Sequence, residues 1–231
     1  ARLGNIAGRS LPVWFAVWSL VRVQQLGWNG QAWDLSFVGR DFWIYRNAGR
    51  AVLEGTDPWL ASFWWNGTEW HFAAPPVAAQ LFVPFALIAD MASLTIFLLL
   101  SLATAWAALR AVGLPAWWLL FPPMTEGIVA ANPQILLFGL LLVGLHARRL
   151  GDAPGHGRAP GHGPALGVRA ARAVAVGLKI YGIVPILARR EWRAVAASAG
   201  MVALSVVLAP GLWARYLAGF GDTSSRIGRE A

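Results

Sequence analysis

The sequence predicts an all-α, polytopic membrane protein, and three observations lead to that class. Apolar residues make up 57% of the 231 residues and charged residues only 13%, about half the share usual in a soluble domain. The chain has 14 Trp against 11 Phe and 3 Tyr, and Trp favours the interface between membrane and water. The apolar residues fall into about seven runs, separated by prolines, glycines and arginines, which predicts about seven transmembrane helices.

The net charge of +8 does not indicate a nucleic-acid partner. The Arg residues lie at the ends of apolar runs instead of forming one polar face, which favours membrane lipids and cytoplasmic loops as their surroundings. The chain contains no Cys, which excludes disulfides, thiolate metal sites and a Cys nucleophile.

The first apolar run, residues 11–26, predicts a retained membrane span, because no signal-peptide cleavage site follows it. Arg2 and Arg9 precede this run and place the N-terminus in the cytoplasm by the positive-inside rule. The loop of residues 27–75 then lies outside the membrane. It holds seven Trp, which we expect to anchor the loop at the bilayer surface, with stacking on sugar rings as the alternative.

Residues 41–59 of this loop, DFWIYRNAGRAVLEGTDPW, predict a short amphipathic helix lying on the membrane surface. Asp41 is the predicted N-cap and Gly55 the predicted stop. Four apolar side chains fall roughly along one stripe: Phe42, Tyr45, Val52 and Leu53. Such a helix presents Asp41 at the mouth of whatever the membrane helices enclose; the alternative is that Asp41 only caps. Asp57 is expected to fix the turn that follows the helix.

Residues 76–147 predict the next group of spans. Their apolar runs are 77–89, 91–108, 116–131 and 135–147. Pro122-Pro123 must break the third run, and Glu126 beside it is costly in a membrane unless it faces a cavity. A second polar break, Asn132-Pro133-Gln134, precedes the fourth run.

Residues 148–172 form a hydrophilic connection that we interpret as a flexible linker. It repeats Ala-Pro-Gly-His-Gly, and the Pro and Gly beside His156 and His162 give no rigid frame for a metal. Spans resume over residues 173–212, where Lys179 lies near the middle of an apolar run and close to helix-breaking residues.

The orientation of the later spans stays open between two topologies. Seven simple crossings put Arg189 and Arg190 inside, whereas a re-entrant run at 116–131 puts the linker inside instead. We prefer simple crossings, because they leave the polar tail, residues 213–231, on the same side as the Asp41 loop. Composition rich in Ala, Gly, Arg and Trp fits a GC-rich bacterial genome, so the expected location is a bacterial plasma membrane, and a start without Met is interpreted as a fragment.

Four landmarks, in order, make the chain resemble glycosyltransferase family 87 of the GT-C superfamily, the polyprenol-phosphate-dependent mannosyltransferase-like membrane proteins. The first is an Asp, an aromatic helix and a turn: Asp41, Phe42, Tyr45, Ala48, Gly55, Asp57, Pro58 and Trp59. The second is an aromatic residue and Pro-Pro entering a span: Phe72, Pro75, Pro76, Phe82 and Pro84. The third is a polar pair, Asn132 and Gln134, where the family more often shows Gly-Gln-x-Asn. The fourth is a Gly, Lys and Tyr before a basic pair and a Trp: Gly177, Lys179, Tyr181, Arg189, Arg190 and Trp192.

The resemblance covers about residues 11–215 and implies an N-terminal fragment of an enzyme with a GT-C-like bundle. It implies transfer of a sugar, mannose in the first instance, from a polyprenyl-phosphate donor to a lipid-linked or cell-envelope glycan, with inversion. It assigns the general base to Asp41, with Asp34 as the local competitor. The site would then face the extracytoplasmic side of the membrane.

The donor leaves a phosphate, which needs cationic stabilisation. Lys179 is the first candidate, because an ammonium within a span is a functional hypothesis by default; snorkelling is its alternative. Arg46 and Arg50 share a helix face and could also meet the phosphate, or could face solvent and headgroups. The other expected substrate contacts are Tyr45, His71, Asn132, Gln134 and Tyr181.

No group of Asp, Glu and His has a metal-ligand spacing, so we expect neither a protein-liganded metal nor a cofactor, and leave a loosely held divalent cation open. A transporter or flippase of lipid-linked substrates is an alternative, because it would also carry broken spans and an intramembrane Lys. Internal repeats would favour it, and none is apparent between the halves. An inactive membrane scaffold is the third reading.

Overall fold

The computed structural model describes residues 2–28, 35–65, 67–151, 166–179 and 182–219, and these are mostly helical. The helices are α1 (Arg2–Gly27), α2 (Arg40–Leu53), α3 (Pro76–Ala86), α4 (Asp90–Ala111), α5 (Pro122–Val129), α6 (Pro133–Gly151), α7 (Leu166–Leu178), α8 (Ile183–Ala188), α9 (Trp192–Leu208) and α10 (Pro210–Gly219). Short 3-10 helices occupy Leu35–Phe37, Pro58–Leu60 and Ala116–Leu120. The predicted linker histidines, His156 and His162, and the end of the polar tail lie outside the described residues.

The Asp41 loop also contains a two-stranded hairpin that the all-α prediction did not include. Strands β1 (Ser62–Trp65) and β2 (Thr68–His71) pair antiparallel, with Ser62 opposite His71 and Trp65 opposite Thr68. The Asn-Gly pair between them is the strongest short-range hairpin signal in a sequence. Gly67 has φ 75°, a conformation that residues with a Cβ rarely adopt. The prediction therefore holds for the helices and is wrong for residues 62–71.

Helix length and composition bear on the number of spans. Within the described residues, α4 is long and apolar enough to cross a membrane by itself. Two bent pairs, α5 with the first part of α6 and α9 with α10, raise the number to three if each pair is one span. The finding agrees with an all-α membrane protein, and the figure of seven spans stays a prediction.

The chain breaks where prolines and polar residues predicted that it would. Pro122 and Pro123 begin α5 after a 3-10 helix, and the chain then bends by 119° between α5 and α6 around Asn132. Lys179 follows the end of α7, so it lies outside regular helix. Pro210 begins α10, which is bent by 103° from α9. A ring nitrogen without a hydrogen cannot continue the helical ladder, which explains the proline positions.

An aromatic cluster joins α2, α3 and α4 at the centre of the fold. The ring centroids of Phe42 and Phe97 lie 5.1 Å apart, and those of Phe82 and Phe97 lie 5.4 Å apart. Gly49 lets α2 and α3 approach closely, because a Cβ there would lie 2.7 Å from the Phe82 carbonyl carbon. The amphipathic helix expected at the membrane surface therefore has half of its residues buried in the helical core.

Candidate functional site

A cavity of about 530 Å³ lies where α1, α2, α5 and α6 meet. It is lined by Trp18, Arg22, Arg40, Asp41, Phe121, Pro122, Pro123, Glu126, Gly127, Ala130, Asn132, Gln134 and Ile135. Three residues that the sequence singled out, Asp41, Asn132 and Gln134, are therefore brought to one cavity. Glu126, which was expected to need a cavity, also lines it.

The start of α2 is held by the end of α5. The backbone N–H groups of Gly39 and Asp41 donate to the carbonyls of Val129 and Ala130, at 2.9 and 3.0 Å. The N-cap is Gly39, which has φ 76°, and Asp41 lies in the first turn. The prediction that Asp41 is the N-cap is therefore wrong, because backbone carbonyls of another helix satisfy these donors and leave the carboxylate free for other contacts.

The Asp41 carboxylate is held by one partner on each oxygen. Oδ1 accepts from Nε of Arg40 at 2.8 Å, and Oδ2 accepts from the Asn132 side-chain amide at 2.5 Å. The Asn132 carbonyl oxygen in turn accepts from the backbone N–H of Gln134 at 2.9 Å. A carboxylate oxygen has two acceptor positions, so each oxygen keeps one for a substrate. The side chain is 16% exposed and opens into the cavity.

Arg40 is itself fixed by the hairpin. Its guanidinium carbon lies 5.0 Å from the Trp65 ring centroid and 4.8 Å from that of Trp70, so the cation contacts an indole from each strand. Cation–π contacts of this kind favour a delocalised guanidinium. The hairpin thereby holds Arg40 against Asp41. Sequence reasoning missed Arg40, although it directly precedes the predicted base.

Arg22 and Glu126 form an ion pair across the cavity. Nη2 of Arg22 donates to Oε2 of Glu126 at 3.1 Å, and Nη1 donates to the Gln25 side chain at 3.0 Å. Both charges interrupt apolar runs of the sequence, at residues 11–26 and 116–131, but nothing in the sequence indicates that two residues separated by 104 positions are partners.

Arg46, predicted to meet the donor phosphate, is packed into the protein instead. It is 2% exposed, and its guanidinium donates to Asp90 at 2.6 Å. It also donates to the backbone carbonyls of Phe85 and Ile88 at 3.1 and 2.9 Å. These contacts join α2 to the turn between α3 and α4. Arg46 is not part of the Asp41 cavity, so its assignment as a substrate contact is corrected to a structural one.

Arg50 and His71 also lie apart from the Asp41 cavity. Arg50 is 3.6 Å from Asp90 and lines a separate cavity of about 300 Å³. His71 is exposed at the end of β2, with Nε2 3.7 Å from a Glu69 carboxylate oxygen. A role for these two side chains in the same site therefore has no geometric support.

Lys179 and Tyr45 contact each other beside the site. The Lys179 ammonium lies 5.7 Å from the centroid of the Tyr45 ring, and neither residue lines the cavity. Tyr45 is packed against Phe72 and Phe82, with ring centroids 5.2 and 5.0 Å away. Burial, and secondarily the charge of Asp41, raise the pKa of the Tyr45 phenol, so it stays protonated. Tyr181 and Asp34 lie outside the described residues.

The turn after α2 is built as predicted. Asp57 caps the 3-10 helix by accepting from the backbone N–H of Trp59 at 2.9 Å. Trp59 stacks on Tyr216 and donates from its indole to the Ala74 carbonyl, so the turn ties the loop to α10 and to the start of α3. In the part of the chain that the structure describes, no group of three His, Cys, Asp or Glu could hold a metal ion.

Comparison with known proteins bears on the family. No curated protein and no solved structure matches the chain significantly. The family model for glycosyltransferase family 87 matches residues 72–231, more than half of the chain, beginning after the Asp41 helix and including Asn132 and Lys179. This match confirms the family, and it covers the second, third and fourth landmarks; the first landmark, residues 41–59, precedes the matched range and stays a prediction. The chain belongs to glycosyltransferase family 87 and is a membrane glycosyltransferase.

Proposed function

We propose that the protein transfers a sugar, mannose in the first instance, from a polyprenyl-phosphate donor to a lipid-linked or cell-envelope glycan, with Asp41 as the general base. The observation that carries the proposal is the position of the Asp41 carboxylate on the wall of the 530 Å³ cavity, held through both oxygens. A carboxylate fixed in this way can accept a proton without reorienting during the reaction.

The proposed reaction is a single displacement at the anomeric carbon. A hydroxyl of the acceptor donates its proton to Asp41 as its oxygen attacks the anomeric carbon. The bond between that carbon and the phosphate oxygen breaks, and the polyprenyl phosphate leaves with the bonding electrons. One displacement inverts the configuration, and the proton on Asp41 is then lost to solvent.

In this proposal, Arg40 and Asn132 position the base. Each donates to a different oxygen of Asp41, so the carboxylate plane is set by two contacts. Gln134 orients Asn132 through its backbone N–H, and its side chain remains a proposed substrate contact at the cavity. Lys179 remains a proposed source of positive potential for the phosphate, acting from beside Tyr45.

The apolar surfaces of the helices agree with a lipid-linked donor that reaches the site from the membrane. α4 is apolar enough to span a bilayer, and exposed apolar side chains cover α1 and α9. We propose a multi-pass protein of the bacterial plasma membrane whose cavity faces the extracytoplasmic side. No cofactor is proposed, and a loosely held divalent cation is left to experiment.

The test uses membranes containing the full chain and radiolabelled polyprenyl-phosphate mannose. Asp41→Asn keeps the size and one acceptor oxygen but cannot accept the proton as a carboxylate does. Transfer should fall by about 100-fold to 10,000-fold, the range of general-base catalysis. The matched control is Asp57→Asn, an acidic residue of the same loop that caps a turn, and this variant should retain most of its transfer.

If Asp41→Asn transferred sugar as fast as Asp57→Asn, Asp41 would not be the general base. Movement of the labelled lipid across the membrane without a glycan product would favour a flippase. Use of another polyprenyl-phosphate sugar in place of mannose would correct the donor and leave the role of Asp41 intact.

A further inference from the structure

Arg22 lies where an exposed apolar face of α1 meets the Asp41 cavity. Trp14, Trp18 and Arg22 follow one another at intervals of four residues, so they lie along one face of the helix. Both indoles are exposed, and Trp18 lines the cavity together with Arg22. This face, the Trp14–Trp18–Arg22 stripe, leads from an apolar surface to a guanidinium at the cavity.

The neighbouring face of α1 is packed against the protein. The Ser19 hydroxyl donates to the Leu120 carbonyl at 2.6 Å. Phe15 contacts Trp117, Trp118 and Phe121, with ring centroids 5.2–5.6 Å apart. The stripe is therefore held in place while its exposed face has no protein covering it among the described residues.

The Arg22–Glu126 pair is more exposed than the Arg40–Asp41 pair, which also lines the cavity. The side chains of Arg22 and Glu126 are 38% and 36% exposed. An ion pair with this exposure contributes little to stability, since water solvates both charges. A stronger anionic ligand can therefore replace Glu126 at a small cost.

The charges along the cavity indicate where an anion would bind. The lining contains two cations, Arg22 and Arg40, and two carboxylates, Asp41 and Glu126. Nε of Arg40 donates to Asp41, and the Arg40 side chain is also held by two indoles. Arg22 is paired with a carboxylate that the proposed reaction does not use. Arg22 is therefore the cation that is available to bind an incoming phosphate.

We propose that Arg22 binds the phosphate of a polyprenyl-phosphate lipid whose chain lies along Trp14 and Trp18, and that Glu126 is the counter-ion which this phosphate displaces. The identity of the lipid rests on the proposed function. A guanidinium offers two parallel N–H donors that match phosphate oxygens, and the planar indoles offer apolar area to a prenyl chain. Glu126 keeps the empty site neutral and is solvated after displacement.

The test measures binding, without turnover, of a fluorescent short-chain polyprenyl phosphate to the full chain in phosphatidylcholine nanodiscs. Arg22→Gln should weaken binding at least tenfold. Glu126→Gln should bind as well as the wild type or more tightly, because it removes the competing carboxylate. The matched control is Arg110→Gln on α4, where the guanidinium lies 5.8 Å from the ring centroid of the exposed Trp106, and binding should not change.

The double variant Arg22→Gln/Glu126→Gln separates loss of the phosphate contact from misfolding, because it leaves no unpaired charge. It should bind as weakly as Arg22→Gln. Unchanged binding by Arg22→Gln, or equal weakening by Glu126→Gln, would overturn the proposal. Equal binding of polyprenol would show that the phosphate is not recognised, and equal binding of phosphatidate would show an ordinary headgroup site; either result overturns it.

Asp41→Asn distinguishes this inference from the proposed function. It should bind the polyprenyl phosphate at least as tightly as the wild type, since the carboxylate is not the phosphate contact and its loss removes a negative charge from the cavity. Arg22-dependent binding in a protein that transfers no sugar would overturn the proposed function alone. Transfer that depends on Asp41 but not on Arg22 would overturn this inference alone.

Discussion

Arg40 and Arg46 lie on the same helix, and both pair with a carboxylate, but the structure gives them opposite surroundings. Arg40 lines an open cavity and contacts a carboxylate that is itself at the cavity wall. Arg46 is 2% exposed and donates to two backbone carbonyls as well as to Asp90. The partners of an arginine, and not its place on a helix, therefore decide whether it serves chemistry or folding.

The largest effect on stability is expected at Arg46. Arg46→Gln removes the contact with Asp90 and leaves the carbonyls of Phe85 and Ile88 short of a donor in a buried site. We expect a loss of about 2–4 kcal/mol in the free energy of unfolding, from the cost of unsatisfied buried acceptors and the lost packing. Thermal denaturation of the detergent-solubilised protein measures it.

Arg50→Gln is the matched control, because Arg50 approaches the same Asp90 but is half exposed. Its effect should stay below about 0.5 kcal/mol. Equal destabilisation by the two variants would contradict the distinction between a buried contact set and a surface pair.

A smaller effect, on catalysis and not on folding, is expected at Arg40. Arg40→Lys keeps the charge but loses the planar face that contacts Trp65 and Trp70, so the Asp41 carboxylate is held less firmly. We expect kcat to fall about 10-fold to 100-fold, because a small misplacement of a reacting group has an effect of this size. The KM for the donor should not change. Steady-state transfer assays separate the two constants.

Trp70→Leu should reproduce part of the Arg40→Lys effect, because it removes one of the two indoles. Trp64→Leu is its control, since Trp64 is exposed and does not contact Arg40 in the described structure. If Arg40→Lys lowered thermal stability as much as Arg46→Gln does, Arg40 would serve mainly to stabilise the fold.

The smallest effect is expected at Tyr45, which lies on α2 between the two arginines. Burial raises the pKa of its phenol above the ordinary value, so the unfolded chain loses this proton first as the pH rises. Stability contributed by Tyr45 is complete below about pH 10 and falls at higher pH, where only the unfolded state is ionised.

Tyr45→Phe should therefore remove part of the alkaline loss of stability and change the stability at pH 7 by less than about 1 kcal/mol. Urea denaturation at pH 8 and pH 11 compares the variant with the wild type. Parallel pH dependence in the two proteins would show that the phenol ionises equally in the folded and unfolded states.

The candidate site was predictable in part. Asp41, Asn132 and Gln134 were selected from the sequence, and all three line one cavity. The selection rested on the order of landmarks, since Asp41 and Asn132 are separated by 91 positions and nothing local connects them. Arg46 was wrongly placed among the substrate contacts, because spacing on a helix gives a shared face but not the element that covers it.

The hairpin and the start of α2 show why local signals failed where they did. A cap residue was expected at Asp41, but carbonyls at the end of α5 supply the acceptors, which a pattern within α2 cannot reveal. Aromatic residues at 62–71 suit both a membrane surface and a strand pair, and the Trp-rich loop was interpreted as a membrane anchor without use of its Asn-Gly hairpin signal.

Composition predicted the membrane class, the landmarks predicted the family, and prolines and polar residues predicted where the helices are interrupted, because these signals are present in the local sequence. Tertiary structure alone decided which charges meet. The bend between α5 and α6 brings Asn132 to Asp41 and Glu126 to Arg22, while the close approach of α2 and α3 at Gly49 helps to bury Arg46. Such pairings depend on the packing of distant segments, whose geometry is fixed only when the whole core forms.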